Sequence, residues 1–303
     1  MKRSKIVAIS AIGIMSMMMT GCSVLDTGSG SGGQDAITIG SKDFTENILL
    51  GHMFSQLLES KGIPTNQKFN LGGTSVVFSA MKGGQVDIYP EYTGTGLTEQ
   101  LKLPTQSDPD TVYNTVKKDF KEKWNIDWLD PMAINTTWCL AVTKDLADKY
   151  DLKSISDLAK VSNEVDLAST QEFQARADGL PGLEKAYPGL QFKSTRAYAI
   201  GLSYQALQTG AAQSTVCFRT DGQISAFNLV ALQDDQSFWP PYYVAPIVRD
   251  SVLKKYPEIK PALNELSKYL NEAVMRELNW KVDGNKEDPA KVAKDFLKAQ
   301  KLI

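Results

Sequence analysis

The stretch Ala36-Ile-Thr-Ile-Gly40, continued by Ser41-Lys-Asp-Phe-Thr-Glu46, decides the class of this fold. Its first half alternates like a half-buried strand. Its second half carries helix-starting chemistry, with Ser41 and Thr45 as candidate caps and the acids Asp43 and Glu46 in the first turn. Ile48, Leu49, Met53, Phe54, Leu57 and Leu58 then recur at helical spacing, and Gly62 ends the run. The pattern continues downstream. Lys68-Phe-Asn-Leu71 reads as a strand, Ser75 to Lys82 as a helix, and Gln85-Val-Asp-Ile-Tyr89 as a third strand. This β-α-β-α-β order predicts an α/β domain with a largely parallel sheet.

A further α/β stretch opens at Trp138-Cys-Leu-Ala-Val142. It holds a helix at Ile155 to Leu158, a strand at Glu164 to Leu167, helices near 180 and 200, and strands at Ser214 to Phe218 and Leu229 to Leu232. After Phe238-Trp-Pro-Pro-Tyr-Tyr243 comes a strand at Val244 to Val248, then helices over 258–277 and 288–300. There is no internal repeat. Ligands of open α/β sheets sit at the carboxyl ends of strands, beside helix N-termini. Lys42, Tyr92 and Arg176 fall at such ends.

The first residues, Met1-Lys-Arg-Ser-Lys5, are basic, and Ile6 to Met19 is an apolar run. The run is shorter than the about 20 residues a membrane span needs and fits a signal peptide over 1–21. Thr20-Gly21-Cys22 resembles the bacterial lipobox, with Met19 where Leu is usual, which implies lipidation of Cys22. Residues 22–35 are Gly/Ser-rich and read as a flexible tether. Together these predict a protein outside the cytoplasm, lipid-anchored to the outer face of the cell membrane.

The 303 residues carry a formal net charge of −2, and no basic patch points to nucleic acid. There is one histidine, His52, and no CxxC pair, HExxH, P-loop, GxSxG or Rossmann fingerprint. With the commonest general base nearly missing, the sequence reads as a non-enzyme with no metal and no cofactor. Cys139 and Cys217 lie in apolar strand-like runs and fit either a disulfide or two buried thiols.

Four segments, Ile39-Gly-Ser-Lys-Asp-Phe-Thr-Glu-Asn47, Asp87-Ile-Tyr-Pro-Glu-Tyr-Thr-Gly-Thr95, Glu172-Phe-Gln-Ala-Arg-Ala-Asp-Gly179 and Thr220-Asp-Gly-Gln-Ile224, resemble the substrate-binding proteins of glycine betaine/carnitine/choline ABC transporters. The resemblance runs from about residue 37 to the C-terminus. It implies a two-lobed, type II-like periplasmic-binding-protein fold with a crossover hinge. One lobe would combine 36–137 with 241–303, and the other would be 138–240. It also implies a monomer that hands an osmoprotective solute to a membrane permease.

A quaternary ammonium has no N–H to donate, so a pocket attracts it with π faces, at about 0.5–2 kcal/mol per ring. By the resemblance those rings are Tyr92, Trp138, Phe218 and Tyr242. Trp138 and Phe218 stand where Tyr is usual, so the π faces stay and two phenol hydroxyls go. Tyr243 is the substitute for Tyr242, since neighbours in a strand point to opposite faces. Tyr198 is a weaker candidate. Lys42, Thr95 and Arg176 match the positions that hold a zwitterion's carboxylate, and Arg can meet it with a bidentate fork. Asp221 reads as a turn residue and Glu91 stays unassigned. The competing reading is a lipoprotein of the same fold that binds an amino acid or other small solute. That ligand would need an acidic group for its primary ammonium.

Overall fold

Strand β1 (Ile37–Gly40) pairs in parallel with β2 (Thr65–Lys68) on one side and β3 (Ile88–Tyr92) on the other. The helix between the first two, α1 (Thr45–Ser60), buries Leu49, Leu50, Met53, Phe54, Leu57 and Leu58, while Ile48 is half-buried. Gly62, at φ +81°, supplies the left-handed residue that ends this segment. The computed structural model describes residues 36–303, so the expected signal peptide, Cys22 and the tether lie outside the described residues.

Two five-stranded sheets form the frame. The first has the order β2-β1-β3-β10-β4, with β4 at Ile126–Trp128 and β10 at Val244–Arg249. The second has the order β7-β6-β8-β5-β9. Its strands are β5 (Trp138–Val142), β6 (Asp166–Ser169), β7 (Ser194–Ala197), β8 (Ser214–Phe218) and β9 (Val230–Ala231). Each sheet is parallel at one end and antiparallel where the chain crosses over: β10 runs against β3 and β4, and β5 runs against β8 and β9. The two crossing segments lie side by side. Thr136 N donates to Tyr242 O at 3.0 Å, Val244 N to Ile134 O at 3.1 Å, and Asn135 bridges Tyr243. This is the two-lobed α/β architecture with a double crossover.

Several boundaries differ from the sequence reading, each for a local reason. The second strand begins at Thr65 because it is an edge strand, exposed over most of its length, with no apolar alternation to mark it. The third strand begins at Ile88 because the amides of Gln85 and Val86 close the helix α2 (Thr74–Lys82) on Ala80 O. It continues through Pro90, which faces Pro246 across β10. Two prolines can oppose one another only in a pair that exchanges no N–H bonds. Neither Ser41 nor Thr45 caps α1. Phe44 holds that position without a side-chain bond, and Asn47 reaches back to accept from Lys42 N at 2.7 Å. The expected helix over 258–277 is two, Ile259–Ser267 and Glu272–Asp283, and Asn271 caps the second by accepting from Val274 N.

The cysteines are paired. Cys139 and Cys217 sit directly opposite in the β5–β8 register, Cα atoms 4.9 Å apart, and close a separation of 78 residues. The same register places Trp138 opposite Phe218 one position along. Alternation sends the cystine to one face, beside Tyr204, and the two rings to the other. Replacing both cysteines by serine is expected to lower the unfolding free energy by about 2–4 kcal/mol, measured by urea denaturation. A chain with unchanged stability would mean that the ladder alone holds this register.

Candidate functional site

A cleft of about 720 Å³ opens between the carboxyl-end loops of the two sheets. Lys42, Tyr92, Thr95, Trp138, Arg176, Phe218 and Tyr242 all line it, as does Tyr198. Tyr243 lines a separate cavity with Asn135 and Arg219, so Tyr242 is the one that faces the cleft.

The aromatic wall is continuous. Trp138 and Phe218 have ring centroids 4.4 Å apart, Phe218 stacks on Phe44 at 5.2 Å, and Phe44 meets Tyr92 at 5.9 Å. Phe44 joins the two sheets' contributions, and the sequence reading missed it. The available signal was an aromatic inside the matched segment Ile39 to Asn47, two residues past Lys42. Tyr242 approaches from another side. Its ring lies so close to Gly94 that a Cβ there would come within 2.8 Å of it, and its hydroxyl donates to Asp178 Oδ2 at 2.5 Å.

Lys42 and Arg176, the two buried cations among those that line the cleft, are already partnered. Lys42 Nζ donates to Glu91 at 2.6 Å and to Thr74 at 3.0 Å, 5.1 Å from the Tyr92 centroid. Glu91, fully buried, also accepts from Tyr89, Gln100 and Tyr92 N, so it braces the third strand from within. Arg176 grips Asp178 through Nε and Nη2 at 2.7 and 2.6 Å, and Glu172 through Nη1 at 2.9 Å. It also reaches Thr95 at 3.2 Å and Thr74 at 3.3 Å, and lies over the Trp138 ring at 5.6 Å. Arg176 is therefore both a cleft residue and a paired one, and the pairing is in the interior. Burial alone would lower its pKa, but Asp178 and Glu172 outweigh that and raise it. Burial likewise pushes against the charge on Asp178 and Glu172, and Arg176 brings both carboxyls below their ordinary range.

The same groups join the two walls. Glu172 Oε1 accepts from Thr74 N at 3.3 Å, and Asp178 accepts from Thr98 at 2.8 Å. Behind Tyr92 lies Glu46, whose carboxyl is pushed up by burial and drawn back by the donors around it. Asp221 Oδ2 accepts from both Tyr204 Oη at 2.5 Å and Phe218 N at 2.8 Å, fixing the end of β8 beneath the aromatic wall. His52 packs on Phe69 inside α1, away from the cleft lining. Among the described residues no group of three or more His, Cys, Asp or Glu side chains is placed to hold a metal, and no helix is long and apolar enough to cross a membrane.

The family model for the substrate-binding domain of the ABC-type glycine betaine transport system matches residues 35–299. The chain is 34% identical over 300 residues to the carnitine transport binding protein OpuCC of Listeria monocytogenes, covering 97% of this chain and 96% of that one. It is 37% identical over 274 residues to the glycine betaine-binding protein YehZ of Escherichia coli, covering 86% and 90%. A solved structure of a glycine betaine/carnitine/choline ABC transporter superposes with a TM-score of 0.72 at 32% identity, covering 88% of this chain and 99% of that one.

Burial pushes the Asp221 carboxyl up to about 7 from its ordinary 3.8. The fold therefore binds this proton more tightly than the unfolded chain, and stability declines as pH rises from about 4 to about 7. Asp221→Asn retains an oxygen for Tyr204 and Phe218 without the charge. Its melting temperature should match the wild type near pH 4 and exceed it by a few degrees at pH 8. A parallel pair of pH profiles would refute the assignment.

Proposed function

The chain belongs to the family of substrate-binding domains of ABC-type glycine betaine transport systems, and on that premise we propose how its cleft takes hold of a solute. It works outside the cytoplasm as the receptor of an importer for quaternary ammonium compatible solutes, of which glycine betaine, carnitine and choline are the candidates. The observation that carries the reading is the unbroken arc Tyr92–Phe44–Phe218–Trp138, drawn from both sheets onto one cleft.

A trimethylammonium head fits such a wall because it needs π faces and no acceptor. Four rings at about 0.5–2 kcal/mol each supply roughly 2–8 kcal/mol, against about 8 for a micromolar site. The remainder falls to the carboxylate end, where Thr95 and Arg176 would hold a betaine and Lys42 would add positive potential. Tyr242 would close the cage from the side of the crossover. Of the two lobes, 36–137 with 241–303 would carry Lys42, Tyr92, Thr95 and Tyr242, and 138–240 would carry Trp138, Arg176 and Phe218. Closing them would enclose the ligand between rings of both. The amino-acid alternative needs a free carboxylate for a primary ammonium; of the acids that line the cleft, Glu172 is engaged by Arg176 and Thr74 N, so that ligand would have to use another, such as Asp43.

The segment ahead of the domain completes the proposal. Cleavage after residue 21 and lipidation of Cys22 would tether a monomer by residues 22–35, beside the membrane permease it serves. The several acyl chains of a bacterial lipoprotein hold where a single one binds only marginally.

Calorimetric titration of the full chain should give micromolar-range binding of at least one of glycine betaine, carnitine and choline. Tyr92→Ala should weaken it by about tenfold or more. Heat with an amino acid and none with any quaternary amine would establish the alternative instead.

A further inference from the structure

The buried carboxylates around this cleft differ in what holds them. Glu91 has Lys42, and Asp178 has Arg176. Glu46, only 3% exposed, is held by uncharged groups. Its Oε1 accepts from Tyr92 Oη at 3.0 Å and Thr136 Oγ1 at 2.7 Å, and its Oε2 from Asn279 Nδ2 at 3.4 Å. Asp221 is also held by uncharged groups, but the ring it holds, Tyr204, lies in the apolar cluster around the cystine and not on the cleft.

A buried carboxylate is costly without a positive partner. Glu46 sits where a positive partner can arrive, because the ring bonded to it is the one that lines the cleft. A phenol that donates to a carboxylate carries more electron density on its π face, and the charge behind it acts through a low-dielectric interior. We propose that Glu46 is the counter-charge of the bound solute: set behind Tyr92, it makes the cleft select a positively charged head over a neutral head of the same shape. The inference rests on the reading that this cleft takes a quaternary ammonium, and it adds the residue that determines selectivity for charge. A mere brace for Tyr92 would only need an acceptor, which a glutamine oxygen also provides.

The test compares glycine betaine with tert-butylacetate, its isostere in which carbon replaces the ammonium nitrogen, by calorimetric titration of the full chain. Wild type should prefer betaine. Glu46→Gln should cut that preference about tenfold, by weakening betaine and sparing tert-butylacetate. Tyr92→Phe, which keeps the ring and removes the hydroxyl joining it to the carboxylate, should cut the preference about threefold. This second variant decides the matter alone if Glu46→Gln does not fold. Equal weakening of both ligands in Glu46→Gln, or an unchanged preference in Tyr92→Phe, overturns the inference while betaine binding by wild type leaves the functional reading intact. A wild-type chain that binds no quaternary amine overturns the functional reading, and this inference with it.

Discussion

A guanidinium buried between two walls must have its donors satisfied, and the satisfaction of Arg176 organises this cleft. Asp178 and Glu172 balance its charge from its own side, while Thr74 and Thr95 accept from the opposite wall. Asp178 then has acceptor capacity to spare, which it uses on Thr98 and on the hydroxyl of Tyr242. Removing one member of a buried pair typically costs about 3–5 kcal/mol, because the other is left charged and dry. The network therefore sets the separation of the walls as well as the polarity of the site.

The aromatic side follows from strand register. Trp138 begins β5 and Phe218 ends β8, and their direct opposition brings the rings to 4.4 Å. The cystine one position along locks that register, and Asp221 anchors the amide of Phe218. A slip of one strand by one residue would turn its ring to the opposite face and break the pair. Phe44, from the first sheet's side, then spans from Phe218 to Tyr92. Two kinds of chemistry thus meet in one cavity: π faces on one side, and paired charges with threonine hydroxyls on the other.

Alternating and helical periodicities were enough to read the α/β class, and the motifs around Lys42, Tyr92 and Arg176 pointed to the residues now found around one cleft. Strand β8 was legible to the residue, because Ser214-Thr-Val-Cys-Phe218 holds β-branched and aromatic residues and is followed by turn residues. Strand β2 was not, because an exposed edge strand carries no alternation. Glu46 looked like an ordinary acid in a helix's first turn. Its place behind Tyr92 depends on a contact across 46 residues of chain.

What the sequence determined by itself is local: the alternation of strands and helices that marks the α/β class, and the chemical types available at strand ends. These depend on side-chain periodicity and backbone preference over a few residues, which any short window reveals. Tertiary structure alone decided that the cysteines pair, that Tyr242 and not Tyr243 faces the cleft, that Phe44 completes the aromatic wall, and that Lys42 and Arg176 already have carboxylate partners. Each of these depends on which groups lie within a few ångströms after folding. In a chain that crosses twice between two sheets, residues far apart in sequence become neighbours, and burial then makes their charges and hydrogen bonds depend on one another.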